Sequence, residues 1–211
     1  MLAHLIDRVV RMIAVVIIVV LVVIALVLLY NGLVRKRTRT QEAWSQIDVE
    51  LKRRHDLIPN LVETVKGYAA HEQGTFEAVT NARAAAVSAG ATGDPTKVGA
   101  AENALSGTLR SLFAVAENYP QLQAVQTFSQ LQEQLTSTED KIEFARRYYN
   151  ASARDYNTAL QTFPRNLIAS MGGFKPVGFF QVEAEDREVP QVNFGAAGGP
   201  PPATPSGPPP A

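Results

Sequence analysis

The chain begins with its longest apolar pattern, an unbroken run from Met12 to Leu29 in which no side chain carries a charge. A helix of this run spans about 27 Å, close to the thickness of the hydrocarbon core of a bilayer. A helix in the core of a small soluble domain would keep a polar face, and this run has none. We therefore expect a transmembrane helix over residues 12–34, preceded by a short N-terminal tail of residues 1–11.

A cleaved signal peptide is the main alternative for this segment. The run exceeds the usual length of a signal peptide's apolar region, and residues 28–32 contain no pair of small residues suited to cleavage. The chain has no cysteine, so a lipoprotein anchor cannot form either. We expect the segment to remain attached as a membrane anchor.

A second pattern begins at Gln41, where apolar residues recur every three or four positions as in an amphipathic helix. This spacing predicts one helix from Gln41 to Ala89. Arg54 and Glu72 interrupt the apolar stripe, so they are either buried polar positions or local breaks. Pro59 predicts a kink rather than a stop. The stripe consists of Trp44, Ile47, Leu51, Ile58, Leu61, Val65, Tyr68, Phe76 and Val79.

A loop rich in glycine follows at residues 90–95, after which Asp94 or Thr96 can cap a second helix that runs to Asn118. Tyr119-Pro120 then marks a break or a new first turn.

The third helix carries an almost strict heptad of apolar residues from Leu122 to Leu160 and is closed by Phe163-Pro164. Thr136 and Glu139 have the spacing of a capping box, which leaves a boundary inside this helix possible. Residues 174–180 are predicted to form an extended arm packed on the bundle.

These elements define an all-α fold. We expect the transmembrane helix to continue into a long antiparallel bundle of three or four helices over residues 35–194. Residues 195–211 are rich in Gly and Pro and lack side chains large enough for a core, which predicts a disordered tail. Lys plus Arg and Asp plus Glu both number 20, so net charge gives no reason to expect a nucleic-acid partner.

Basic residues flank the apolar run unequally. Arg8 and Arg11 precede it and four follow it, which predicts that the C-terminal domain is cytoplasmic. The four can also contact anionic lipid headgroups, although a role in setting the membrane orientation is enough to explain their presence. They are Arg35, Lys36, Arg37 and Arg39.

Two polar faces are the remaining candidates for a site, and each follows a helical spacing. One interpretation is that both faces are solvated and carry salt bridges. A second is that they form a recognition surface. A third is that the two faces meet inside the bundle and set its register. On the first soluble helix the face consists of Asp48, Lys52, Asp56 and Asn60. On the last helix it consists of Glu139, Glu143, Arg146, Asn150 and Arg154.

No catalytic motif is recognisable in the chain. His71-Glu72 starts a metalloprotease-like pattern, but Thr75 stands where the second histidine ligand belongs. Nucleotide-binding loops and the serine-hydrolase elbow are absent, and no thiol nucleophile exists. We expect no metal and no cofactor, and a hydrolase using Glu139 or Glu143 is the least favoured interpretation.

The segment from Gln41 to Val62, which reads QEAWSQIDVELKRRHDLIPNLV, closely resembles the signature of the LemA family. Two later segments agree with it: residues 117–120, and residues 139–164 with their Tyr148-Tyr149-Asn150 and Asp155-Tyr156-Asn157 triplets. The resemblance covers residues 35–194.

This resemblance implies a bacterial single-pass membrane protein with its N-terminus outside and an antiparallel helical bundle in the cytoplasm. It implies no established enzymatic activity, and members recur beside membrane-protease and membrane-organising systems. Our leading hypothesis is a non-enzymatic scaffold or adaptor that engages other membrane proteins or copies of itself. A membrane-shaping or lipid-binding protein is the alternative.

Overall fold

A computed structural model describes the backbone of residues 2–180 and the side chains of residues 7–180. This part of the chain contains six helices and no strand, which confirms the all-α prediction. The predicted disordered tail of residues 195–211 lies outside it. The helices are α1 (Leu2–Lys66), α2 (Gln73–Gly90), α3 (Pro95–Glu117), α4 (Pro120–Gln123), α5 (Gln126–Gln161) and α6 (Arg165–Met171).

Helix α1 unites the predicted membrane anchor and the first helix of the bundle in one uninterrupted element about 100 Å long. Its most apolar 18-residue window has a mean hydropathy of 3.8, and none of that window is buried by the protein. The helix continues through Pro59, so that proline does not stop it. Any force on the bundle is therefore transmitted directly to the candidate membrane span.

The prediction of a single helix from Gln41 to Ala89 is wrong, because α1 ends at Lys66 and α2 begins at Gln73. The chain turns back between them, with Ala69 buried in the turn and Glu72 at the N-terminal boundary of α2. The apolar stripe resumes after this turn and enters the same core, so periodicity alone gave no sign of it.

The third helix predicted from Leu122 is interrupted near its start, because α4 ends at Gln123 and α5 begins at Gln126. Two other boundary predictions can be compared directly with the structure. The Thr96 backbone N–H donates to Asp94 Oδ1 over 3.0 Å, which makes Asp94 the N-cap of α3. Helix α5 has no boundary at Thr136, whose hydroxyl bonds back to the Gln132 carbonyl within the helix.

The core consists of three clusters that follow one another along the length of the bundle. The one nearest the candidate membrane span is small, with Leu33 of α1 packed on Ala159 and Ala169. The middle cluster joins α1 and α5 around Ile47 and Tyr149. The distal cluster is the largest and draws on α1 to α5. The protein is therefore a rod that is thickest far from the membrane span.

Helices α1 and α5 pack antiparallel along most of the rod. The Thr40 hydroxyl donates to the Ser152 carbonyl over 3.2 Å, and Leu33 packs beside Ala159. Small buried side chains such as Ala43 allow the two helices to approach closely. This pairing fixes the height of every α5 residue relative to the membrane span.

Candidate functional site

A buried cluster of charged and polar side chains lies inside the bundle. Arg54 Nη1 lies 3.5 Å from Glu102 Oε2 and 3.1 Å from Glu139 Oε2. Arg54 Nη2 donates to the Ser106 hydroxyl over 2.7 Å, and His55 Nε2 lies 2.7 Å from Glu102 Oε1. The Arg54 and Glu102 side chains are only 5% and 3% exposed. Their charges are thus compensated by each other inside the protein.

This cluster connects four helices. Arg54 and His55 belong to α1, Glu102 to α3 and Glu139 to α5, while Arg83 of α2 donates from Nε to the His55 carbonyl over 2.7 Å. Its contacts therefore join all four of these helices inside the bundle.

Arg54 is a buried polar position rather than a break in the helix. Glu139 pairs with it although half of the Glu139 side chain is exposed. The second carboxylate considered for hydrolysis, Glu143, pairs with Arg147 on the surface of α5. Within the described residues no group of three potential metal ligands occurs.

The predicted polar face of α1 points to solvent. All four of its members are exposed, and none takes part in an ion pair within residues 7–180. These are Asp48, Lys52, Asp56 and Asn60. The link from α1 to the polar face of α5 runs through Arg54 instead. On α5, Arg146 is half-buried and likewise forms no ion pair in the described part.

Asn150 has a defined structural partner, the extended arm of residues 174–180. Its side-chain amide donates to the Phe180 carbonyl over 2.9 Å and accepts from the Phe180 N–H over 3.0 Å. Two turns later Asn157 makes the same pair of bonds with Val177, at 2.9 and 3.0 Å. The two amides thus bind the arm as a neighbouring β-strand would, and they secure it along α5.

Tyr149 supports the same arm. Its hydroxyl donates to the Gly178 carbonyl over 2.8 Å, and its ring lies 5.3 Å from that of Trp44. Burial raises the pKa of Tyr149 to about 12, because the phenolate would lose its hydration.

An open groove of about 1140 Å³ lies between exposed faces of α1 and α5. Val49 and Phe144 both line it and are 65% and 72% exposed, so the groove carries two large apolar side chains together. Glu50 also lines the groove, and its Oε2 is buried without a hydrogen-bond partner among the described residues. The groove therefore offers an apolar contact beside an unsatisfied acceptor.

The basic neck beyond the apolar run remains at the surface. Arg35, Arg37 and Arg39 are exposed and Lys36 is half-buried. Arg39 donates from Nε to the Tyr148 hydroxyl over 3.1 Å, and this hydrogen bond raises its pKa above the usual value. Arg39 is therefore in contact with the bundle, whereas the other three make no such contact within residues 7–180.

Sequence reasoning missed several of these residues. Glu102 occupies a core position of α3, four residues after Val98 and three before Leu105, so a charged residue at a core position of the heptad was a usable signal. Val49 and Phe144 gave no such signal, because single apolar residues on a polar face are common.

The fold and these surfaces define a class of protein: a helical bundle that continues without a break from a candidate membrane-spanning helix. A model of the LemA family matches residues 43–194. The chain therefore belongs to the LemA family, which confirms the resemblance found in its sequence.

Three relatives illustrate this membership. Magnetosome protein MamQ 2 of Paramagnetospirillum magneticum is 31% identical over 179 residues, covering 74% of this chain and 66% of the relative. MamQ of Magnetospirillum gryphiswaldense is 30% identical over 178 residues, covering 74% and 65%. Protein LemA of Metamycoplasma hominis is 27% identical over 159 residues, covering 74% and 71%. The match spans just under two thirds of the length of the MamQ relatives, and none of these names is that of an enzyme.

Proposed function

We propose that this protein is a non-enzymatic, membrane-anchored scaffold that binds a helix of another membrane protein in the groove between α1 and α5. The observation that carries the proposal is the exposure of Val49 and Phe144, 65% and 72%, in a groove bounded by two helices. Two such side chains together offer a third helix a place to bury its own apolar face.

The lining of the groove indicates the chemistry of the partner. Ser45 and Ser137 are small and allow close approach, while the unpartnered Glu50 Oε2 calls for a donor. The best fit is an amphipathic helix with one large apolar residue against Phe144 and an uncharged hydroxyl donor near Glu50. Lys52 lies three residues after Val49 on the same side of α1, so it can contribute to the rim.

The distance of the groove from the bilayer limits the kinds of partner that can reach it. Val49 lies about 30 Å along α1 from Tyr30, so the groove stands well clear of the bilayer. With the basic neck on the cytoplasmic side, it would lie in the cytoplasm of a bacterial cell, beyond a single membrane crossing. The partner would then be a membrane protein with a cytoplasmic helix, and family resemblance points to membrane-protease or membrane-organising systems.

A non-enzymatic role is supported by the state of the buried charges. Glu102 is engaged by Arg54 and His55, and Glu139 by Arg54, so neither carboxylate is left to activate water. The alternative of a lipid-binding or membrane-shaping protein is favoured by Arg35, Lys36 and Arg37, which remain without partners in the bundle. Deformation of anionic vesicles by the purified protein tests that alternative, and undeformed vesicles at high coverage contradict it.

Matched pairs of variants test the scaffold proposal. The double variant Val49→Ala/Phe144→Ala removes the two apolar groups of the groove. Its control, Val87→Ala/Tyr68→Ala, removes one valine and one aromatic ring that are 47% and 48% exposed elsewhere. We expect co-purification from native nanodiscs to lose a specific partner only with the groove variant. Equal recovery of every partner from both variants would overturn the proposal.

A charge variant gives a second test of the same surface. Lys52→Glu changes the rim beside Val49, and Arg146→Glu changes the polar face of α5. We expect Lys52→Glu to weaken recovery of the same partner that the groove variant loses. A second copy of this chain as the recovered partner would identify the scaffold as a homo-oligomer.

A further inference from the structure

Three exposed apolar side chains lie together at the end of the rod that meets the candidate membrane span. Phe163, Leu167 and Met171 are 75%, 56% and 89% exposed. Leu167 and Met171 are four residues apart and lie on one side of α6, and Phe163 lies in the turn before it. We call these three residues the apolar foot.

The antiparallel pairing of α1 and α5 gives the height of the apolar foot. Thr40 pairs with Ser152 and Leu33 packs beside Ala159, so seven residues along α1 correspond to seven along α5. Continuing two residues to the end of α5 places Gln161 level with Asn31, and Phe163 lies in the turn just beyond it, near the level of Leu29. Leu29 is the last residue of the apolar run, so the foot begins where the hydrocarbon core ends.

Contacts of α6 with α1 confirm this height independently. Ala169 and Ile168 pack with Leu33, and the ring of Phe174 lies 5.6 Å from the ring of Tyr30 in an edge-to-face arrangement. The opposite side of α6, which carries Leu167 and Met171, therefore faces away from α1. It lies near the C-terminal end of the membrane span.

Charges around the apolar foot fit the surface of an anionic bilayer. Residues 156–180 contain Arg165 and Lys175 and no acidic residue, and residues 30–41 contain four basic residues and no acidic one. The end of the rod that approaches the membrane thus carries positive charge above an apolar patch. This is the combination found in helices that lie in the interfacial region of a membrane.

We propose that the apolar foot inserts into the interfacial layer of the leaflet from which α1 emerges, giving the protein a second membrane contact beside its transmembrane helix. Phe163, Leu167 and Met171 enter the boundary between headgroups and acyl chains, while Arg165, Lys175 and the neck contact phosphates. Because α6 is also packed on α1, the two contacts together fix the rod at one angle to the membrane. This inference goes beyond the scaffold function and does not depend on the groove.

The absence of cysteine makes the proposal directly measurable. Single variants Leu167→Cys and Met171→Cys carry a fluorescent label in the full chain, reconstituted in vesicles of phosphatidylcholine and phosphatidylglycerol. Leu26→Cys in the apolar run and Val87→Cys on α2 are the matched controls. Quenching is measured with lipids brominated near the top of the acyl chain and with a water-soluble quencher.

We expect labels at positions 167 and 171 to be quenched by brominated lipid several-fold more than the label at position 87, and to be shielded from the aqueous quencher. Circular dichroism identical to that of the unsubstituted chain shows that each variant is folded. Quenching equal to that at position 87 would overturn the proposal. So would labels shielded from water but not quenched by lipid, since that result assigns the foot to a protein interface.

Discussion

Arg54 of α1 and Glu102 of α3 form an ion pair with 3.5 Å between Nη1 and Oε2, and their side chains are almost completely buried. Neither charge could remain there alone, because removing an ion from water without a partner is costly. Each buried charge therefore requires the other as its countercharge. The pair therefore joins α1 to α3 inside the bundle.

Removing one member of this pair should destabilise the bundle strongly. We expect Arg54→Met to lower the free energy of unfolding by about 3–5 kcal/mol, because it leaves the Glu102 carboxylate buried without its main countercharge. Urea denaturation followed by circular dichroism in nanodiscs measures the change. The control Arg147→Met removes an arginine from a surface pair with Glu143 and should cost at most about 1 kcal/mol. Equal effects of the two substitutions would show that the buried cluster does not set the register.

Loss of the Asn150 amide should release the end of the arm. The side chain makes two hydrogen bonds to Phe180, each contributing about 1 kcal/mol, so Asn150→Ala should weaken the arm by about 2 kcal/mol. Hydrogen exchange of the Phe180 amide should accelerate accordingly, while exchange in the distal core stays unchanged. Asn60→Ala, at an exposed asparagine of α1, is the control and should leave the arm protected. An arm equally protected in both variants would exclude this role of Asn150.

The raised pKa of Tyr149 predicts a loss of stability at alkaline pH. In the unfolded chain the phenol ionises near its ordinary pKa of 10, but in the folded protein this pKa is about 12. The folded state therefore binds more protons between these values, and its stability decreases as pH rises through that window. Tyr149→Phe should make this decrease shallower. An unchanged slope in Tyr149→Phe would contradict the assignment.

Reporter fusions after Phe180 test the orientation. The basic neck predicts that a reporter active only in the cytoplasm works at this position and that one active only outside does not. Arg35→Glu/Lys36→Glu/Arg37→Glu reduces the charge bias and should produce a mixed population. Activity of only the external reporter in the unsubstituted protein would place the groove and its partner outside the cell.

Most helices were predictable because they depend on local signals. Asp94 caps α3 as its position suggested, and Phe163-Pro164 follows the end of α5. The turn between Lys66 and Gln73 was not predictable from periodicity, because Val65 and Phe76 continue one apolar pattern across it. Gly67 was the only local sign of that turn.

The candidate site was harder to predict from the sequence than the helices, because it depends on contacts between residues far apart in the chain. Arg54 was recognisable as an exception to the stripe, but its partners Glu102 and Ser106 became evident only when α3 was placed beside α1. Asn150 was noted as a polar surface residue, whereas its partner Phe180 lies in an arm without helical periodicity. Long-range pairing of this kind leaves no trace in local spacing.

Photo-crosslinking from the groove in living cells tests the central claim most directly. A photoreactive amino acid replaces Phe144 in the full chain, and a second strain carries it at Val87 on α2 as the control. The account predicts one crosslinked membrane protein from position 144, lost on adding Lys52→Glu, and no such product from position 87. No discrete product from position 144, or the same product from both positions, would contradict a scaffold that works through this groove.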